Sequence, residues 1–211
     1  MSFVPHNHFS SSDEVVHSTP DPHQDEAAAL DSSRIPVAEA TLETKRLLLR
    51  RLAQDDAAAL HRCTGDREVM RYWHPGPDAD VAATEGRIAE IDEHWRRYGF
   101  GDFGVIERET DALVGFAGLH HIDDMAEVNA GYALMVGCWR RGLGTELCRL
   151  LLAHGFADLG LPEIVAVIDP RNDASLALAE RCGLGFRREF TWQGRLRVLY
   201  AMTQAEFGGA S

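Results

Sequence analysis

Hydrophobic periodicity predicts alternating strands and helices from residue 41 onward. Residues 41–51 are rich in apolar side chains and predict a first strand, and the acids at 55–56 open a helix that begins at Ala57. A second helix is predicted over residues 80–97, because apolar side chains recur there near helical spacing at Val81, Ile88, Ile91 and Trp95. Three further apolar runs predict strands at residues 103–107, 112–119 and 127–136.

The rest of the chain alternates helix, strand, helix and strand. Residues 140–145 read Arg-Arg-Gly-Leu-Gly-Thr and form a glycine turn between the strand at 127–136 and the next helix. That helix places four leucines on one face, Leu143, Leu147, Leu150 and Leu151. This order of elements predicts an α/β protein with one central mixed sheet.

The glycine turn has the features of a pyrophosphate site. A helix N-terminus presents unpaired backbone N–H groups and a partial positive charge, and Gly142 and Gly144 let a ligand approach that backbone closely. An ordinary helix start would show the same glycines, but Arg140 and Arg141 favour phosphate. The chain lacks the third glycine of a Rossmann fingerprint and any P-loop string, which disfavours nicotinamide, flavin and nucleotide-hydrolysis sites.

Charge is unevenly spread over the 211 residues. The chain carries 21 Lys and Arg against 33 Asp and Glu, a net charge of −12 at pH 7, which disfavours nucleic acid and anionic membranes as partners. Residues 1–40 hold half of that charge, four histidines and no convincing apolar period. We expect residues 1–40 to be a disordered acidic extension, residues 41–207 to form the domain and residues 208–211 to be a short tail.

Several absences favour a cytoplasmic protein. No apolar run approaches the roughly 18 to 20 residues that span a bilayer, and no secretory signal is apparent. The scattered histidines of residues 1–40 are more typical of a solvated tail than of a metal site, so we expect no metal. The cysteines match no metal-ligand spacing and stand among apolar neighbours, as reduced core thiols do: Cys63, Cys138, Cys148 and Cys182.

Four stretches with a characteristic order and spacing carry a family resemblance: residues 42–50, 113–119, 131–146 and 172–186. Through them, residues 41–207 resemble the GNAT N-acetyltransferases, in the RimJ/RimL-like branch of ribosomal-protein alanine acetyltransferases. The resemblance implies a central, mostly antiparallel mixed sheet flanked by helices. It also implies a V-shaped splay between the fourth and fifth strands, where acetyl-CoA lies.

The resemblance also implies which residues bind acetyl-CoA. A bulge in the fourth strand would free backbone groups of Leu134, Met135 and Val136 for pantetheine and the thioester carbonyl, with an N–H near Met135 as oxyanion donor. Asn172 and Ser175 would contact pantetheine near the sulfur. The pyrophosphate would lie on Arg140, Arg141, Gly142, Leu143, Gly144 and Thr145.

Acetyl transfer to an amine needs a proton acceptor, because free alkylamines are mostly protonated at pH 7. The tyrosine that many members use as acid is replaced here by Ala179, so we expect Ser175 in that role, with a plain helix-start serine as the alternative. The glutamate common on the fourth strand is replaced by Asn129, so we expect Glu127 to act as base through water. The rival proton acceptors are His120, His121 and bulk water.

The acceptor class stays open at this point. Family members acetylate protein N-termini, polyamines, amino acids and aminoglycosides, and fold resemblance does not choose among them. Tyr72, Trp73 and Trp95 stand near the segments that usually wall the acceptor site, although core packing is the commoner fate of such aromatics. We expect direct transfer in a ternary complex, by a monomer or homodimer. The alternative is a catalytically weak acyl-CoA-binding regulatory module, which the missing tyrosine and glutamate favour.

Overall fold

The computed structural model describes residues 40–122 and 125–209. The strands are β1 (Thr41–Glu43), β2 (Leu47–Arg50), β3 (Asp102–Glu107), β4 (Ala112–His121), β5 (Val128–Leu134), β6 (Glu163–Ile168), β7 (Gly185–Trp192) and β8 (Arg195–Thr203). The helices are α1 (Ala57–Thr64), α2 (Val81–Tyr98), α3 (Leu143–Ala153), α4 (Asp173–Arg181) and α5 (Gln204–Gly209). The expected disordered extension lies outside the described residues, apart from Ala40.

One sheet contains all eight strands, in the order β1-β2-β3-β4-β5-β6-β8-β7. Every neighbouring pair is antiparallel except β5 and β6, which are parallel. Their register has two rungs, Val128 opposite Ile164 and Asn129 opposite Val165, and beyond Asn129 the described parts of the two strands no longer pair. The predicted mixed, mostly antiparallel sheet is confirmed, and the splay lies between β5 and β6.

The second predicted helix has clear end signals. The Asp80 carboxylate accepts the N–H of Ala83 at 2.9 Å and caps α2. The helix stops at Gly99, whose φ of 75° is left-handed and whose N–H donates to the Trp95 carbonyl at 2.9 Å. Of the predicted apolar positions, Ile88 and Trp95 are buried and Val81 is exposed. The buried face of α2 therefore contains fewer residues than the apolar positions in the sequence predict.

Two clusters of buried side chains hold the helices on the sheet. The larger includes Leu143, Leu147 and Leu151 of α3, spaced by one turn, while Leu150 is only partly buried. The smaller includes Ala57 and Leu60 of α1. All four cysteines are free thiols. No helix in the described part of the chain is long and apolar enough to cross a bilayer.

Three local predictions need correction. The first strand is two short strands, β1 and β2, because the chain turns at residues 44–46, where the Arg46 side chain forms an ion pair with Glu146 of α3. The strand predicted to reach Val136 ends at Leu134. The expected bulge in that strand is absent from the described register, which runs unbroken between β4 and β5. Register shifts lie instead between β3 and β4 and between β7 and β8.

Candidate active site

A cavity of about 450 Å³ opens where β5 and β6 diverge. Tyr132 of β5 and Ser175 of α4 line it together with His120 of β4 and Asn129 of β5. Neighbouring residues of a strand point to opposite faces, so Tyr132 projects from one face of the sheet and Asn129 from the other. The opening is therefore flanked by polar side chains on both faces.

The β5 backbone also faces this opening. The Met135 N–H donates to the Val114 carbonyl at 2.9 Å, so by antiparallel alternation Ala133 and Gly131 also turn their backbone groups towards β4. Tyr132 and Leu134 turn theirs the other way, where no described strand lies opposite. The Met135 N–H is thus engaged, contrary to the expected oxyanion role. The N–H groups of Tyr132 and Leu134 are the donors that face the opening.

A 3₁₀ turn takes up part of the backbone expected to bind pantetheine. It spans Val136–Cys138 and is held by Trp139, whose indole N–H donates to the Leu134 carbonyl at 2.7 Å and whose backbone N–H donates to the Val136 carbonyl at 3.0 Å. The side chain of Val136 is exposed. Fewer backbone groups of residues 134–136 are available to a ligand than the sequence predicts.

The pyrophosphate residues predicted from the sequence gather at the start of α3. Gly142 occupies the N-cap with a φ of 78° and has no side chain that could cap the first-turn N–H groups. Leu143 is buried and offers only its backbone. Arg140 is exposed and has a φ of 57°, rare for a residue with a side chain. The guanidinium of Arg141 forms an ion pair with the buried Glu107, so its charge is already partly neutralised.

Gly144 and Thr145 occupy the first turn of α3. A Cβ at Gly144 would lie 2.9 Å from Leu178 Cδ1 and 3.2 Å from the Tyr132 hydroxyl, so glycine allows close packing against the main cavity. Thr145 and Gly142 line a second cavity of about 430 Å³. Of the predicted cofactor residues, Asn172 and Ser175 line the main cavity. The other predicted cofactor residues line neither of these two cavities.

Ser175 lies beside a tyrosine that the sequence analysis did not consider as a catalytic group. Asn172 caps α4, since its Oδ1 accepts the Ser175 N–H at 3.2 Å. Burial and, to a smaller extent, the thiols of Cys148 and Cys182 raise the pKa of Tyr132 to about 12, against a lowering contribution from its hydrogen bond with Ser175. Tyr132 is therefore a protonated hydroxyl at neutral pH. The sequence signal that could have found it is strand alternation, which puts Tyr132 on the opposite face of β5 from Gly131.

Glu127, the expected base, is not among the described residues that line the cavity. Its Oε1 lies 3.3 Å from Nη2 of Arg188 on β7. It precedes β5 and does not continue the strand, so the period-of-two argument that placed it near the site does not apply. The structure brings both rival histidines to the cavity instead.

The two histidines differ in their surroundings. His120 has Nδ1 3.1 Å from the Asp102 carboxylate. Burial lowers the pKa of His120, but the charge of Asp102 and the hydrogen bond to it together outweigh burial and raise the pKa above its ordinary value. His121 packs against Tyr98, with ring centroids 4.5 Å apart, and burial and the nearby His94 lower its pKa. Of these two histidines, His120 is the one for which the described residues provide a carboxylate partner.

The aromatic residues predicted to wall the acceptor site separate into two groups. Tyr72 and Trp73 line the cavity, and Trp73 packs edge-on against Phe116 at 5.1 Å. Trp95 is a core residue, 2% exposed, and its indole N–H donates to the Asp102 carbonyl at 2.8 Å. Trp95 therefore supports the residue beside His120 rather than the acceptor.

A buried ion pair at the end of β6 also escaped the sequence analysis. Asp169 lines the cavity, and its Oδ2 lies 3.0 Å from Nη1 of Arg197 on β8 and 2.7 Å from Nη2 of Arg171. Hydrogen bonds from Arg171, opposed by burial, lower the pKa of Asp169 to about 2. This carboxylate is therefore charged and paired at neutral pH.

Comparison with known proteins agrees with this geometry. The acetyltransferase (GNAT) domain model matches residues 46–185. An uncharacterized N-acetyltransferase, p20 of Bacillus licheniformis, is 32% identical over 150 residues, covering 71% of this chain and 83% of that protein. Spermidine N(1)-acetyltransferase of Escherichia coli K12 is 26% identical over 145 residues, covering 67% of this chain and 74% of that protein.

Solved structures give the same result. A putative ribosomal-protein-serine acetyltransferase from Vibrio cholerae superposes with a TM-score of 0.66 at 25% identity, covering 79% of this chain and 98% of that one. The matched region contains β2 to β6 and the first residue of β7, together with α1 to α4. The chain belongs to the GNAT acetyltransferase family and is an acyltransferase.

Proposed function

We propose that this chain transfers the acetyl group of acetyl-CoA to a primary amine, directly and within a ternary complex. The observation that carries the proposal is the unpaired β5 edge beside the uncapped start of α3. A thioester carbonyl and a pyrophosphate are the two kinds of acceptor that such N–H groups suit. Both belong to one acyl-CoA molecule.

The residues present fit that cofactor. The first-turn N–H groups after Gly142, with the exposed Arg140, would hold the pyrophosphate. The backbone of Tyr132 and the N–H of Leu134 would hold pantetheine and the carbonyl oxygen, and Asn172 and Ser175 lie across the opening on α4. Acetyl-CoA would supply the acetyl group as a thioester, activated for attack by an amine.

Ser175 is the proposed acid. A thiolate leaving group accepts a proton readily, and a serine hydroxyl is a short donor that a second hydroxyl can resupply. Tyr132, whose raised pKa of about 12 keeps it protonated, interacts with Ser175 from β5. Together the two hydroxyls would replace the tyrosine that is missing at Ala179. The pair lies on the face of the sheet covered by α3 and α4.

The proposed acceptor is a primary amine on a protein N-terminus or a small molecule. Relatives named for spermidine and for ribosomal proteins both occur among the matches, so a polyamine and a protein N-terminus are equally supported. Amino acids and aminoglycosides complete the class. We place the chain in the RimJ/RimL-like branch and in the cytoplasm, as a monomer or homodimer that needs no metal, nucleic acid or membrane.

The experiment that tests this function measures release of free CoA thiol from acetyl-CoA across a panel of amines. The panel contains spermidine, a peptide with N-terminal alanine, a free amino acid and an aminoglycoside. We expect one class to raise thiol release well above the rate without amine. CoA binding is measured in parallel by calorimetry, because the regulatory-module alternative predicts tight binding with no amine-dependent release.

A further inference from the structure

A chain of hydrogen bonds joins four neighbouring strands at the apex of the opening. His120 Nδ1 lies 3.1 Å from Asp102 Oδ1 on β3, and His120 Nε2 lies 3.1 Å from Asn129 Nδ2 on β5. Asn129 Oδ1 in turn accepts the Val167 N–H of β6 at 2.9 Å. The network thus runs from β3 to β6 through a single histidine ring.

The chemistry of the donors fixes every proton in this network. The Val167 N–H can only donate, so Asn129 must turn its oxygen towards Val167 and its NH₂ towards His120. The NH₂ also only donates, so Nε2 of His120 must carry a lone pair. The ring hydrogen therefore sits on Nδ1 and is donated to Asp102. One tautomer of neutral His120 satisfies all three contacts.

Two glycines make room for this arrangement. Asp102 lies opposite Gly118, and Gly118 lies opposite Gly131, so these positions share one face of the sheet with His120 and Asn129. A Cβ at Gly118 would stand 2.5 Å from Asp102 Oδ1, and one at Gly131 would stand 3.0 Å from His120 Cε1. The local sequence is therefore shaped around the histidine ring and its carboxylate.

The ring also has the right position relative to the opening. His120 pairs with Asn129, where the last β5–β6 rung forms, at the end of the opening away from α3. A pantetheine arm that starts at the α3 N-terminus carries its reactive end towards this apex. Ser175 and Tyr132 project on the opposite face, so a proton acceptor and a proton donor flank the opening from two sides.

We infer that His120 is the residue that accepts the amine proton, with Asp102 and Asn129 as its positioning residues. This inference rests on the proposed acetyl transfer. As the amine nitrogen bonds to the acetyl carbon and the C–S bond breaks, CoA leaves as thiolate and the surplus amine proton passes to Nε2, directly or through one water. Asn129 yields Nε2 to this proton, and Asp102 stabilises the imidazolium that forms.

The other titratable and charged groups around His120 do not account for the acidic limb of a pH profile. Asp102 is also near Arg87 of α2, and His94 of α2 and His121 of β4 lie close to His120. Burial lowers the pKa of both His94 and His121, so they stay neutral where His120 titrates. Glu90 of α2 lines the same cavity at an exposed position. The acidic limb of a pH profile is therefore assigned to His120.

The test substitutes each positioning residue so that the pKa of His120 moves in opposite directions. Asp102→Asn removes the charge that favours imidazolium, so the acidic limb of kcat/KM should move down by about one pH unit. Asn129→Asp keeps an acceptor for Val167 and places a carboxylate against Nε2, so the limb should move up by a similar amount. NMR titration of the histidine Cε1–H signals, without substrate, should show the same two shifts at His120. Two-bond ¹H–¹⁵N spectra should find the proton of wild-type His120 on Nδ1.

A matched control exists elsewhere in the chain. His154 Nδ1 lies 2.8 Å from Asp158 Oδ2, and Asp158 is exposed, so Asp158→Asn removes a histidine-carboxylate pair away from the cavity. It should leave the limb of kcat/KM where it is. His120→Asn should lower kcat/KM by about a hundredfold or more, while the Kd for CoA, measured separately, stays unchanged.

The outcomes separate this inference from the proposed function. If an amine is acetylated and His120→Asn keeps most of kcat/KM, or if neither positioning variant moves the limb, the inference is overturned while the function stands. If the NMR shifts appear as expected but no amine is acetylated, the function fails and His120 is not a base. Loss of folding in one positioning variant leaves the other to decide.

Discussion

At the scale of single residues, the site depends on buried polar groups that each have a partner. Asp169 is 5% exposed and Arg197 is 3% exposed, so water cannot solvate either charge if its partner is removed. Removing one member of such a pair leaves the other charge buried and unpaired, which costs more than the intact pair contributes. Asn129 is similar, because it joins β5, β4 and β6 through one amide.

The first prediction concerns this ion pair. Asp169→Asn should lower the free energy of unfolding by about 3 kcal/mol, because Arg197 then stays buried without its counter-charge. Chemical denaturation measures the change. Glu127→Gln is the control, since it breaks a partly exposed ion pair with Arg188 and should cost about 1 kcal/mol or less. Equal, small losses of unfolding free energy in both variants would contradict a buried ion pair between Asp169 and Arg197.

The second prediction is the pH dependence of that contribution. The folded-state pKa of Asp169, about 2, lies below its unfolded value of roughly 3.9. Its stabilisation is therefore complete above about pH 4 and is lost as the pH falls towards 2. Comparing wild type and Asp169→Asn by denaturation between pH 5 and 2 should show the gap between them closing. A gap that stays constant would mean that Asp169 does not titrate in this range.

At the scale of elements, β5 and α3 form one unit that presents backbone donors. β5 loses its parallel partner after Asn129, and the chain re-enters a helix at Gly142. Both sets of N–H groups are available because of what is missing: a strand opposite β5 in the described sheet, and a capping side chain before α3. An anionic thioester ligand fits such a unit better than a cationic one.

The third prediction tests the α3 start. Gly142→Asp should raise the Kd for CoA by about tenfold or more, equivalent to about 1.4 kcal/mol, by placing a carboxylate against the pyrophosphate. Gly142→Asn is the matched control, because asparagine has a similar shape and tolerates the left-handed φ of 78°. A Cβ here would lie 3.5 Å from Arg46 Nη2, an ordinary contact, so crowding is not the cause. Similar Kd values for the two variants, read by calorimetry, would refute a pyrophosphate site.

Elements with local signals were predictable from the sequence, and those set by distant contacts were not. The helix expected over residues 80–97 runs from Val81 to Tyr98, because Asp80 and Gly99 fix its ends. The expected single strand at residues 41–51 is two strands, since the turn between them is held by Glu146, about a hundred residues away. The pairing of Asp102 with His120 depends on the register between β3 and β4, which no local pattern contains.

At the scale of the whole molecule, the net negative charge says less about function than the charges around the start of α3 do. Half of the net charge of −12 lies in residues 1–40, outside the described domain. Within the domain, Arg140 is an exposed cation at a helix start, while Arg141 is paired with Glu107. The anionic cofactor is therefore met by backbone N–H groups and one free-standing arginine side chain at this turn, rather than by a strongly basic surface.

The fourth prediction follows from where the site lies. Every residue proposed to bind the cofactor or to move a proton belongs to β3 to β6, to α3 or α4, or to the turns that join them. A shortened chain that begins near residue 40 should therefore keep the acceptor preference and the CoA affinity of the full chain. The amine panel run on both chains measures this. A changed preference would mean that residues 1–39 contribute to the acceptor site.

The most direct test of acetyl transfer follows the acetyl carbon itself. The full chain is incubated with acetyl-CoA labelled with ¹³C at the carbonyl and with the best amine of the panel, and the label is followed by NMR. We predict that the thioester signal is replaced by that of an N-acetyl amide, in step with the appearance of free CoA thiol. Label that remains in the thioester, or that appears as free acetate, would contradict acetyl transfer to an amine.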